Sequence, residues 1–219
     1  MLRLMQKNSL FFAIQAFLLL MLITVYWLCA RDMLSWSMVL FQGQILILII
    51  LSSIASNEQQ EEKSKGYAFL SILPVTDRDI VASKFACVLL TVSFIVAYNN
   101  FLFTLFPDPA YLASFGRIFV LLSGLACLIL AGLMYIIIYL WGHRFIKIVW
   151  ITALANVILP ILFVELVLLK RNIDLRNLFN AITKVSRAVW ILLALISVVL
   201  FLLLLQAAVQ AKARQREAH

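Results

Sequence analysis

The sequence predicts an all-α integral membrane protein of about six transmembrane helices, with both termini cytoplasmic and short interfacial helices at its edges. Three observations predict it. The chain has 219 residues, 65% of them hydrophobic, and a mean hydropathy of +1.06, where a soluble domain is roughly 45–50% apolar. Charged residues make up 13%, against about 25% in a soluble domain. The apolar residues gather in six runs of about 20, the length that crosses a bilayer as helix.

These runs are roughly Leu10–Ala30, Trp36–Ala55, Phe85–Phe106, Phe115–Leu140, Ile146–Leu169 and Ala188–Leu205. Lipid offers no partner to an open backbone, so each is a helix or a barrel strand. Barrel strands alternate apolar and polar residues. These runs are continuous, which selects helices. The whole chain, 1–219, then reads as one transmembrane domain. Within it lie an interfacial N-terminal helix (1–9), a cytoplasmic segment (56–84), an outer amphipathic helix (170–187) and a basic cytoplasmic tail (206–219) with no fold implied.

Arg3 and Lys7 share one face of the first segment, which leads into a run too long for a signal-peptide core and followed by no small-x-small cleavage site. It reads as an uncleaved first span. With six spans the termini share a side. Of the 18 Lys and Arg, 11 fall on that side and 7 on the other, so basic-residue bias favours termini inside. The basic segment Lys170–Arg187 runs against that bias. The net charge of +8 suits anionic lipid headgroups at the span ends rather than nucleic acid, for which no domain remains. Cys29, Cys87 and Cys127 fall in or beside apolar runs and form no CxxC pair, so they read as small hydrophobes without disulfide or metal.

Between the second and third spans the chain reads NEQQEEKSKGYAFLSILPVTDRDIVASKF. Residues 57–65 are charged and helix-prone, with Glu61 one turn before Lys65. Gly66 breaks this helix and Pro74 fixes a turn. Thr76 suits a helix N-cap, with Asp79 three residues on in the position of a capping-box acid. Asp77 and Asp79 favour the positive helix end. A helix should therefore start near Asp77 and run through Lys84 into the third span, making a short stiff elbow. An ordinary capped loop satisfies the same local signals.

The order Glu62, Lys65-Gly66, Leu70, Leu73-Pro74-Val75-Thr76, Arg78, Ile80-Val81, Lys84-Phe85 resembles the permease subunits of ABC type-two transporters. The resemblance in motif covers about 25 residues, and the span architecture covers the rest. It implies a coupling helix at the elbow that docks on a separate ABC ATP-binding subunit, in two copies. Leu73, Pro74, Val75, Thr76, Asp77 and Arg78 would meet that ATPase, braced by Glu62, Lys65 and Lys84. A second permease half, the same chain or a paralogue, would complete the pathway. ATP and Mg would sit on the partner, with no cofactor bound by this chain. The implied setting is the cell membrane, of the bacterial inner-membrane kind. The chain has no GxxxxGK[ST] phosphate loop, so it is not itself the ATPase.

Polar residues inside spans are the other functional candidates, because they are costly there. Asn99 and Asn100 lie in the third span, and Asn156, Pro160 and Glu165 in the fifth. They are candidates for the pathway or its gate. Glu165 also stands close enough to the outer end to reach headgroups or pair with Lys170 or Arg171. Pro160 should bend its helix. Ser123, Cys127 and Ala131 recur every four residues, a small-residue face suited to packing within the chain or to a dimer seam.

In the outer segment Leu175, Leu178, Phe179, Ile182 and Val185 form an apolar face, with Arg176, Lys184 and Arg187 opposite. This is an amphipathic surface helix, either a headgroup anchor or a lid formed by Arg176, Phe179 and Lys184. A membrane enzyme is disfavoured. His143 and His219 are the two histidines, carboxylates do not cluster, and no HExxH or GxSxG occurs. A secondary transporter or channel would need more intramembrane ionisable groups than Glu165. A non-transporting assembly subunit stays open, and the cargo is not readable.

Overall fold

The computed structural model describes residues 36–63, 76–105, 110–142, 151 and 187–217, with 13, 14, 17, 20, 21 and 23–25. The regular secondary structure among them is all helical. Four long helices stand out: α1 (Trp36–Lys63), α2 (Asp77–Leu105), α3 (Ala110–Trp141) and α4 (Arg187–Glu217). The chain's prolines, at 74, 107, 109 and 160, all fall outside them. Pro107 and Pro109 stand between Leu105 and Ala110. Proline lacks an N–H and disfavours helix at the residue before it, which suits a break in the sequence between α2 and α3.

Asp77–Leu105, Gly116–Trp141 and Ala188–Arg214 are each long and apolar enough to cross a membrane. They fall on the expected third, fourth and sixth runs. The expected first and fifth runs lie mostly outside the described residues. Two boundaries differ from expectation. α1 continues past Ala55 to Lys63 as one helix, so the charged stretch is an extension of the second run rather than a separate element. α4 continues past Leu205 to Glu217, over a basic tail for which the sequence implied no fold. The tail is rich in Ala, Gln, Lys and Arg, all strong helix formers, and holds no Gly or Pro to stop it.

α3 is central, packing on α1, α2 and α4, while α2 also touches α4. The interior is built of apolar side chains, among them Ile50, Ile54, Val81, Val88, Ile95, Cys127, Ala131 and Ile138. Apolar burial gives little net drive in lipid, so close contact between backbones decides which faces meet. Ser123, Cys127 and Ala131 are all buried within the chain, so that face is spent on internal packing. Gly43 of α1 lies against Ser123 and Phe119, with no room for a β-carbon. At Gly132 a β-carbon would stand 2.9 Å from Leu204, which fixes the α3–α4 approach.

Helix directions follow from the contacts. The Arg117 guanidinium donates to the Phe103 carbonyl at 3.2 Å, so the start of α3 adjoins the end of α2 and the two run antiparallel. Tyr139 and Lys212 meet near the ends of α3 and α4, so those two run parallel. Gly142 and Arg187 therefore stand at opposite ends of the bundle. Gly142 ends α3 with φ of 76°, a conformation glycine adopts freely, and its N–H donates to the Ile138 carbonyl at 2.8 Å. Thr24 and Tyr98 share a 2.6 Å hydrogen bond, placing this part of the first run beside the later half of α2.

Candidate functional site

One end of the bundle gathers the last turns of α1, α3 and α4 around the first turns of α2. α2 begins at Asp77, where the proline and threonine signals put it. Thr76 and Asp79 form a reciprocal cap. The Asp79 N–H donates to Thr76 Oγ1 at 3.2 Å, the Thr76 N–H donates to Asp79 Oδ2 at 3.2 Å, and the Thr76 hydroxyl donates to the same oxygen at 2.7 Å. The Ile80 N–H donates to the Thr76 carbonyl at 3.2 Å, closing the first turn. Thr76 and Arg78 are exposed, while Ile80 and Val81 are buried. The start of α2 thus presents polar groups outward and seats its apolar face on the bundle.

Seven residues into α2 lies a buried charge cluster. The Lys84 ammonium donates to Glu58 Oε1, and to Glu61 Oε2 at 2.7 Å. The three residues are 1%, 0% and 3% exposed respectively. Glu58 and Glu61 are three apart on α1, one face of one turn, so together they chelate the ammonium. At 1.5 Å per residue, Lys84 stands about 10 Å from the start of α2 and about 32 Å from its end. The hydrocarbon core is about 30 Å thick, so a span made by the remaining length of α2 would leave the cluster near one margin of that core.

Aromatic rings carry the contact to the other helices. Phe85 lies 5.0 Å from Phe201 and 5.3 Å from Tyr135, and Tyr135 stacks on Tyr139 at 6.0 Å. The Tyr139 ring takes two cations, Lys212 Nζ at 4.8 Å and Lys84 Nζ at 5.9 Å from its centroid. Cations within about 6 Å of a ring are attracted by its negative face. The Asn57 amide nitrogen and the hydroxyls of Tyr135 and Tyr139 are buried without a hydrogen-bond partner. The region is therefore polar as well as buried.

Of the sequence candidates, Thr76, Asp77, Arg78 and Lys84 come together at this end. Lys84, expected as a support, is the centre of the cluster. Glu62 lies in α1, but its side chain, like Lys65, Leu73, Pro74 and Val75, falls outside the described residues. Glu61, expected one turn from Lys65, holds Lys84; its spacing to Lys65 falls outside the described residues. Glu58, Tyr139 and Lys212 are additions that sequence reasoning missed. Their one signal was the three-residue spacing of Glu58 and Glu61 opposite a lysine in a span.

Asn99 and Asn100 do not join this cluster. They lie about 22 Å along α2 from Lys84 at the helical rise. Each donates to its own helix, Asn99 Nδ2 to the Ile95 carbonyl at 3.0 Å and Asn100 Nδ2 to the Val96 carbonyl at 2.9 Å. Asn99 Oδ1 is buried without a partner. Asn156, Glu165, Arg176, Phe179 and Lys184 lie outside the described residues. Among the described residues no three His, Cys, Asp or Glu side chains group to hold a metal.

A bundle of apolar helices with a capped, exposed helix start beside a buried ion cluster defines a multi-pass membrane protein. A family model described as "ABC-2 family transporter protein" matches residues 3–210. The chain belongs to that family, whose members form the membrane part of ABC transporters and work with an ABC ATP-binding subunit. No curated protein and no solved structure matches the chain.

Proposed function

We propose that this chain is the permease subunit of an ATP-driven exporter, docked through the elbow Leu73–Arg78 onto a separate ATP-binding subunit. The single observation that carries the reading is the reciprocally capped, outward-facing start of α2, seated on the bundle by the buried Lys84 cluster. In this reading two permease halves, identical or paralogous, flank a pathway, and two ATPases close on ATP and Mg beneath them. Both termini face the cytoplasm of a cell, of the bacterial inner-membrane kind. The opposite placement of Gly142 and Arg187 supports a further crossing by the apolar run Ile146–Leu169. Asn99, Asn100, Asn156 and Glu165 belong to the pathway or its gate. The outer segment with Arg176, Phe179 and Lys184 covers its exit.

Arg78→Glu and Pro74→Ala test the docking directly. Co-purification with the ATPase should fall about tenfold or more for Arg78→Glu, the loss of about 1.4 kcal/mol. The bundle should stay folded, because Arg78 is exposed. Wild-type co-purification in both variants would remove the elbow from the interface. Sidedness is checked with an impermeant maleimide on intact cells: Thr104→Cys should label and Lys63→Cys should not.

A further inference from the structure

We propose that Lys84, held between Glu58 and Glu61, is a positioning residue that locks the elbow to the bundle, so that a push at Thr76–Arg78 reaches the far end of the helices. This inference rests on the docking reading above and assigns how motion leaves that surface.

The physical case starts from what the cluster does not provide. Replacing a buried ion pair by well-packed apolar side chains is commonly neutral or stabilising. Stability alone therefore gives no reason to bury Glu58, Glu61 and Lys84 at 0%, 3% and 1% exposure. Register does. An apolar contact between helices can slide with little penalty, since one methyl replaces another. A lysine gripped by two carboxylates on one turn cannot slide, because a shift of one turn, about 5.4 Å, strands buried charges of both signs. The grip thus selects a single register between α1 and α2.

The same ammonium lies 5.9 Å from the Tyr139 ring centroid, and Lys212 of α4 lies 4.8 Å from it. Four helices are tied at one point, one short step behind the exposed start of α2. Displacing the elbow then carries α2 and its neighbours together instead of bending the first turns of α2 alone.

The test uses the reconstituted permease–ATPase complex in a Cys29→Ser background, where Cys87 and Cys127 are buried. Thr104 is exposed near the opposite end of α2. A cysteine there reports far-end motion as a change in alkylation rate between nucleotide-free and vanadate-trapped states. The parent should change about fivefold, the low end of coupling between distant sites. The variant Glu58→Met/Glu61→Met/Lys84→Met, compared at saturating ATPase so that any weakening of docking is removed from the readout, should show no nucleotide-dependent change. A full response in that variant overturns the lock and leaves the docking reading intact. A parent chain that binds no ABC ATPase removes the docking reading itself, and the lock with it. Should the methionine variant fail to fold, Lys84→Glu and Glu61→Lys/Lys84→Glu replace it. The double exchange keeps two acids and one base and should restore the response that Lys84→Glu alone abolishes. No restoration overturns the proposal.

Discussion

Replacing Lys84 alone by methionine separates the energetics of the ion cluster from its geometry. The substitution leaves two carboxylates, Glu58 and Glu61, on one turn of α1 with almost no exposure. Truncating one partner of a buried pair is expected to lose about 3–5 kcal/mol, because the remaining charge stays uncompensated. Two carboxylates of like charge side by side place this variant toward the upper part of that range, while Lys212 beyond the Tyr139 ring offsets part of it. For a chain of this size each kcal/mol moves the midpoint by about 2–4 °C, so Lys84→Met should unfold about 6–20 °C earlier. The buried thiols supply the assay. Cys127 and Cys87 are 0% and 4% exposed, so a thiol-reactive dye in a Cys29→Ser background reports their release on heating. Unfolding of such proteins is commonly irreversible, so midpoints are compared at one scan rate. Glu58→Met/Glu61→Met/Lys84→Met should return to the parent midpoint or above it. A Lys84→Met midpoint within the parent's scatter would refute the reasoning, since the carboxylates would then have relaxed to water.

Thr76→Ala removes the hydroxyl that caps the Asp79 N–H and should cost about 1 kcal/mol, read as faster amide exchange over residues 77–81 with the remainder of α2 unchanged. Gly132→Leu drives side-chain atoms into Leu204, already 2.9 Å from an added β-carbon, and should destabilise by about 1–3 kcal/mol in the same dye assay, with Leu204→Ala restoring part of the loss. Asn99→Leu removes a carbonyl oxygen that is buried without a partner. Its thermal midpoint should hold or rise, and a loss of nucleotide-coupled transport at an unchanged midpoint would assign Asn99 to the pathway.

The sequence was informative wherever a local rule decided the outcome. Apolar runs placed α2, α3 and α4. Pro74, Thr76 and Asp79 placed the start of α2 at its observed residue, because capping is settled within four neighbouring residues. The small face of Ser123, Cys127 and Ala131 was legible, but its use within the chain depended on Gly43 of another helix approaching it. The ion cluster was not legible. Glu58 and Glu61 precede Lys84 by 26 and 23 residues, beyond the three- or four-residue reach of the helical pairing rule. Which cation a carboxylate takes across a helix interface depends on axial register, which no window of sequence contains. The fold of the tail past Leu205 was not legible for a similar reason: its composition does not show that Ala208, Ala211 and Lys212 are buried against the bundle.

α4 differs from its neighbours in how little of its apolar surface the chain covers. Large aliphatic side chains from Val189 to Leu203 are mostly exposed, while burial gathers near Phe201, Ala208 and Ala211. Hydrophobic length mismatch acts on whichever surface the acyl chains touch. Where acyl chains rather than a second subunit cover that surface, a change in bilayer thickness would act first on this helix, whose buried residues gather near one end.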